Sequence, residues 1–195
     1  MSLYAPKDYK HLFGLNGFSD ILLSNHCTLY EGYVTNTNKV ADRLMALIVS
    51  GETGTPEYAE LKRRYGWEWN GMRLHELYFD NLSKEFHELK DASPLKQQIA
   101  KDFGGFENWE KDFRATGSLR GIGWVILSYD SEIKQLFNTW INEHDMGHLA
   151  GTIPLLVMDV FEHAYMLDYG IKRADYIGTF FQSVDWVTVE KRFSK

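Results

Sequence analysis

The chain has 195 residues, of which 44% are apolar and 25% charged, ordinary globular usage for one compact unit or two small lobes sharing an interface. A formal charge of −6, with both signs mixed along the chain, argues against a nucleic-acid binder, and no stretch is apolar enough to span a bilayer. The single cysteine, Cys27, excludes an intrachain disulfide and suits a reducing cytoplasm, and the opening MSLYAPKDYKHLFG lacks the apolar run of a signal peptide.

Residues 1–18 read as an extended arm. Ser19-Asp20 starts a helix that runs to Ser50, with Ile21, Leu22, Leu29, Tyr33, Val40, Leu44 and Leu47 on its apolar face. GETGTP (51–56) breaks it, and Thr55-Pro56 opens a second long helix predicted to reach about Leu89, with an interruption possible at Asn70-Gly71. Asp91 to Pro94 reads as a hinge, followed by two short helices over 94–118 on either side of Gly104-Gly105. Strands are expected over 121–128, 133–141 and Ile153 to Asp159, with helical patterning after Glu162. The sum is an α+β chain: an N-terminal antiparallel helical hairpin (domain 1–90) and a C-terminal α/β lobe with a three-stranded antiparallel sheet (domain 91–195).

The densest chemical feature is Asp159-Val-Phe-Glu-His163, at the end of the apolar run IPLLVM. An Asp leaving a buried strand must be hydrogen-bonded, paired or metal-bound; the plainer reading is a helix cap beside a surface histidine. His26 and His75 each sit among core-type residues of one long helix. Either alone reads as a packed core histidine, but the two helices of a hairpin commonly donate inward ligands to one metal. His144 and His148 lie in a polar, loop-like segment. Cys27 falls off the face of His26 and reads as packing. Walker, dinucleotide-binding, HExxH and paired-cysteine patterns are absent.

These segments together resemble the iron/manganese superoxide dismutases. Ile153-Pro-Leu-Leu-Val-Met-Asp-Val-Phe-Glu-His-Ala-Tyr165 is similar to the family signature D-V-W-E-H-A-Y, and Tyr33-Val-Thr-Asn-Thr-Asn38 to its Y-V-x-x-x-N. His75 with Leu-Tyr-Phe and Asn81-Leu82 resembles the second ligand segment. Gly105 to Phe113 and Gly121-Ile-Gly-Trp-Val match in the family's order. The resemblance implies one iron or manganese ion per subunit, with a slight lean to iron, held by His26, His75, Asp159 and His163 with solvent at a fifth position. It implies superoxide as substrate, and a homodimer in which Glu162 of one subunit bonds His163 of the other. Tyr33 and His144 would orient solvent and relay protons, while Trp124, Phe79 and Tyr78 close a pocket sized for a diatomic anion.

Four departures carry expectations of their own. His26 lies one residue closer to Tyr33 than the family spacing, so ungapped alignment puts Asn25 at the ligand position; a one-residue deletion keeps His26 and Tyr33 on one face of a regular helix. Tyr30 replaces the gateway histidine and Met166 the second tyrosine of H-A-Y-Y, which points to a differently built dimer channel. Phe161 replaces the signature tryptophan. The glutamine that holds the solvent has no counterpart: Gly71 stands at one of its positions and His144 beside the other, so His144 is the expected substitute and His148 its competitor. The same ligands in another metalloenzyme class, or a metal-binding or dimerising protein on the dismutase scaffold, are the alternatives.

Overall fold

The computed structural model describes residues 3–194; Met1 and Ser2 of the arm, and Lys195, lie outside the described residues. Helix α1 spans Asp20–Val49 and α2 spans Pro56–Asp80. Both start where the sequence places a cap: Ser19 Oγ accepts from the Leu22 N–H and Thr55 Oγ1 from the Tyr58 N–H, with Pro56 in the first turn of α2. Side-chain pairs crossing the helices run in opposite order, from Arg43–Glu57 through Asn36–Glu68 to Tyr30–Glu76, which makes the pair an antiparallel hairpin.

Two expectations about these helices change. First, α2 continues through Asn70-Gly71 without a break and ends at Asp80, well short of Leu89. The end is fixed by Asn81, whose Nδ2 donates to the Tyr78 carbonyl. Second, the buried face of α1 is formed by Leu22, Leu23, His26, Tyr30, Val34, Thr37, Leu44 and Leu47, whereas Ile21 and Leu29 are exposed.

Helices α3 (Pro94–Phe103) and α4 (Phe106–Gly117) flank Gly104, whose left-handed φ of 73° ends α3. Strands β1 (Gly123–Asp130), β2 (Gln135–Asn142) and β3 (Ile153–Asp159) form an antiparallel sheet of order β2-β1-β3. Its register sets Trp124 beside Ile141 on one side and Asp159 on the other. After a short turn of 3-10 helix (Glu162–Ala164) come α5 (Met166–Tyr169), α6 (Arg173–Gln182) and α7 (Trp186–Phe193). The α+β class and the three-stranded sheet agree with the sequence reading.

Two side chains tie the sheet to the hairpin. The buried Arg192 guanidinium, in α7, donates to the Leu77 carbonyl at 2.9 Å, the Leu155 carbonyl at 2.6 Å and Asn81 Oδ1 at 3.3 Å. Asn81 Oδ1 also accepts from the Val157 N–H at 3.0 Å. Leu77 follows His75 by two residues, and Val157 precedes Asp159 by two, so this network sets how far α2 stands from the end of β3. Among the described residues no helix is long and apolar enough to cross a membrane.

Candidate metal centre

One nitrogen from each of His26, His75 and His163 and one carboxylate oxygen of Asp159 lie within 4.8 Å of one another. His26 Nε2 is 3.1 Å, His163 Nε2 3.2 Å and His75 Nε2 3.8 Å from the same oxygen, Asp159 Oδ2. Donors about 2.0–2.2 Å from one transition-metal ion lie within roughly 4.4 Å of each other, so a slight contraction would seat an ion here. The side chains of His26, His75 and Asp159 are fully buried, and His163 keeps 24% exposure.

Each donor is aimed by something outside the cluster. Asp159 Oδ1 accepts from the Phe161 N–H at 2.8 Å, which leaves Oδ2 to face the histidines. His75 Nδ1–H donates to the Gly71 carbonyl at 2.6 Å, one helical turn back, so Nε2 carries the lone pair. That Nε2 is buried and has no hydrogen-bond partner in the protein. An unpartnered lone pair aimed at a carboxylate oxygen is costly unless a cation lies between them, so the residues present fit a metal ion. His26 presents Nε2 to the cluster, and its Nδ1 has no protein partner. The helix around it is α-helical throughout, and Asn25 is exposed on the outside.

The electrostatics agree. Burial lowers the His26 pKa, against an opposing pull from Asp159, and drives that of His75 well below the ordinary value. Burial by itself would raise Asp159; His163 and His26 reverse this and hold its carboxyl well below the usual carboxylate range. Neutral imidazoles around an ionised carboxylate are the protonation states that bind metal.

Beside the cluster stands a second, hydrogen-bonded group. Trp124 Nε1–H donates to His144 Nδ1 at 3.0 Å, and His144 Nε2 lies 2.8 Å from the Tyr33 hydroxyl. The Tyr33 ring stacks on His75 at 5.1 Å, and Phe161 stacks on both His144 (4.9 Å) and His163 (5.2 Å). His148 is exposed and only reaches the carbonyl of His144, at 2.9 Å. A Cβ at Gly71 would lie 2.5 Å from the Tyr33 ring, so no longer side chain fits at that position while Tyr33 keeps its place. Tyr78 and Phe79 pack on His26 at 5.2 and 4.9 Å. Tyr30 turns away from the cluster, and its hydroxyl donates to Glu76 and accepts from the Lys7 N–H. Cys27 is half-buried against the core, and burial pushes its thiol up to about 11.

Sequence reasoning missed Trp67 and Glu143. The Trp67 ring lies 4.6 Å from His144 and 5.5 Å from Tyr33, and its Nε1–H donates to Glu143 at 3.2 Å. The available signal was spacing alone: Trp67, Gly71 and His75 follow each other at four-residue steps on one helix face.

Three nitrogens and one carboxylate around one point, at the junction of a helical hairpin and a small sheet, are a donor set able to hold a single metal ion in an α+β protein. Comparison with known proteins narrows this. Residues 91–192 match the family described as iron/manganese superoxide dismutases, C-terminal domain. The chain is 36% identical over 175 residues to a manganese superoxide dismutase of Haloferax volcanii, covering 90% of this chain and 86% of that one. It is 34% identical over 195 residues to an iron superoxide dismutase of Aquifex aeolicus (97% and 91% covered), and 37% over 186 residues to one of Cupriavidus metallidurans (92% and 90%). The chain belongs to the iron/manganese superoxide dismutase family.

Proposed function

We propose that this chain is a superoxide dismutase, converting two superoxide anions and two protons to dioxygen and hydrogen peroxide. The observation that carries the reading is the four-donor cluster of His26, His75, Asp159 and His163, set beside the Trp124–His144–Tyr33 chain. Family membership supports it. An iron or manganese ion bound there supplies the one-electron change between the two halves of the reaction. Iron is slightly favoured in this reading, and both metals are to be tested, since the relatives include both kinds.

The chain's own residues supply protons and shape. An indole N–H can only donate, so His144 Nδ1 accepts from Trp124. The neutral imidazole then carries its proton on Nε2 and donates it to the Tyr33 oxygen. Both nitrogens of His144 are thereby engaged. Tyr33 keeps its own hydroxyl proton free and is the donor toward substrate, with His144 acting through it. An amide in this place would have two N–H groups; an imidazole has one. Burial raises the Tyr33 pKa well above its ordinary value, which keeps that proton in place at neutral pH. Trp124, Phe79 and Tyr78, all fully buried, exclude water around the donors.

We also propose the homodimer. His163 reaches a surface hollow lined by Asn25, Leu29, Glu162, Met166 and Leu167, in which three apolar side chains are exposed beside one carboxylate. Glu162 of one copy would bond the outer nitrogen of His163 in the other. In this reading residues 1–90 and 91–195 act as two lobes closing on the metal, and the lone cysteine supports a cytoplasmic location.

Metal-reconstituted protein should consume superoxide catalytically, in proportion to bound iron or manganese. Asp159→Ala should abolish both binding and activity. Fully metallated wild-type protein with no superoxide consumption would overturn the reading.

A further inference from the structure

A series of planar groups in contact, edge-on between Trp67 and His144 and stacked from His144 inward, runs from solvent to the candidate ligand His163. The Arg64 guanidinium lies 3.8 Å over the Trp67 ring; Trp67 meets His144 at 4.6 Å; His144 stacks on Phe161 at 4.9 Å, and Phe161 on His163 at 5.2 Å. Trp67 is the outermost aromatic member and is half-buried, whereas His144 beneath it is fully buried.

Trp67 is held at two points. Its Nε1–H donates to Glu143, the residue before His144, whose backbone sits in the left-handed region at φ 49°. A non-glycine residue there costs energy and persists where surrounding contacts hold it. On the other side Arg64 covers the ring while pairing with Glu68 at 3.0 Å, and Glu68 also accepts from Asn36 Nδ2. A cation on an indole face is attracted by the ring's quadrupole. The indole thus joins the helix that bears His75 to the turn that bears His144.

We propose that Trp67 is the positioning residue that presses His144 onto Phe161, and the steric gate of the site. The proposal rests on the dismutase reading above. His144 is restrained in its ring plane by Trp124 and Tyr33, and on its face by Phe161. Trp67 supplies the remaining wall. With the indole in place, no aromatic anion has room beside His144 and Tyr33, and small anions retain access. Without it, the imidazole can tilt away from Tyr33, and an indole-sized space opens under the Arg64 guanidinium.

The test uses metal-loaded wild-type protein, Trp67→Ala, and Trp67→Phe, which keeps a ring but loses the bond to Glu143. Trp67→Leu stands in should the alanine variant not fold. Azide and benzoate are titrated against the absorption of the loaded protein, and kcat and kcat/KM for superoxide are measured per bound metal. Wild-type and Trp67→Phe are expected to bind azide and refuse benzoate, while Trp67→Ala binds both. In Trp67→Ala, kcat should fall by about tenfold or more, as loss of a partner that orients a group beside a metal site does, with kcat/KM falling less and Trp67→Phe recovering most of the loss. Refusal of benzoate by Trp67→Ala, or wild-type kcat per bound metal in that variant, would overturn the proposal. The anion arm does not depend on dismutation, so inactive wild-type protein would overturn the dismutase reading and still leave the gate decided.

Discussion

Trp124 donates its indole proton to His144 Nδ1 at 3.0 Å, and this one bond fixes which nitrogen of His144 carries the ring proton. Trp124 on β1 is paired with Asp159 on β3, so the strand that sets the proton inventory runs beside the one that carries the candidate carboxylate ligand. Trp124→Phe removes the donor and frees His144 to take the other tautomer. Activity per bound metal should fall by about tenfold or more, with metal content unchanged. Superoxide consumption normalised to metal checks this, and nitrogen NMR of labelled histidine reads the tautomer directly.

His144→Gln should behave differently from His144→Ala. Glutamine can accept from Trp124 and donate to Tyr33, and it has a second N–H to spare. The glutamine variant should keep activity within about tenfold of wild type while changing the metal's reduction potential. The alanine variant should lose most of its activity. Redox titration and turnover measured on the same samples check both.

Burial pushes the His144 pKa down to about 4, whereas in the unfolded chain it returns to its ordinary 6.5. Between these values the unfolded chain holds more protons than the folded one, so stability falls as pH drops through that window. The loss attributable to His144 is at most about 3 kcal/mol, absent above pH 6.5 and complete below about 4. His26 and His75 shift in the same direction, so the check is a difference. Urea unfolding of metal-free wild type and His144→Gln between pH 7 and 5 should show the shallower pH dependence in the variant.

Gly71→Ala should destabilise. Its Cβ would lie 2.5 Å from the Tyr33 ring, and the ring's other neighbours, His75 and Trp67, leave it little room to move. Overpacking of this kind, less the helix propensity gained, amounts to about 1–2 kcal/mol. Displacement of Tyr33 should also lower activity. Denaturant midpoints and turnover per metal are the readouts.

Arg192→Ala should cost at least about 2 kcal/mol, because Asn81 Oδ1 loses one donor and two buried carbonyls lose theirs. The variant should also bind metal more weakly, although Arg192 is not a ligand, because the spacing between α2 and β3 is relaxed. Unfolding curves and metal retention against a chelator check the two effects together.

Much of the site was legible in the sequence because its parts are locally dense. DVFEHAY ends an unbroken apolar strand, so a buried carboxylate and a nearby histidine follow from seven residues. His26 was legible by helical phase: seven residues before Tyr33 keeps both on one face, and the structure brings both rings against His75, each at 5.1 Å. What was hidden depends on contacts between distant segments. Trp67 meets Glu143 across 76 residues; helical spacing puts Trp67 on the face of His75, but no local pattern marks Glu143 as its partner. Leu29 looked buried because apolar spacing finds a helix's apolar residues without saying what each one faces; α1 carries them on two faces, and only one meets α2. The end of α2 at Asp80 was missed because the apolar pattern runs on past it, whereas Asn81 turns the chain to bond β3.

In the proposed site His26, and not Asn25, completes the four metal donors that dismutation requires. Iron and manganese bound per subunit, with superoxide consumption on the same samples, should be measured for wild type, His26→Ala and Asn25→Ala. Asn25→Ala should match wild type in both, and His26→Ala should lose metal and activity together. Full metal and activity in His26→Ala, or their loss in Asn25→Ala with the fold intact, would contradict this assignment.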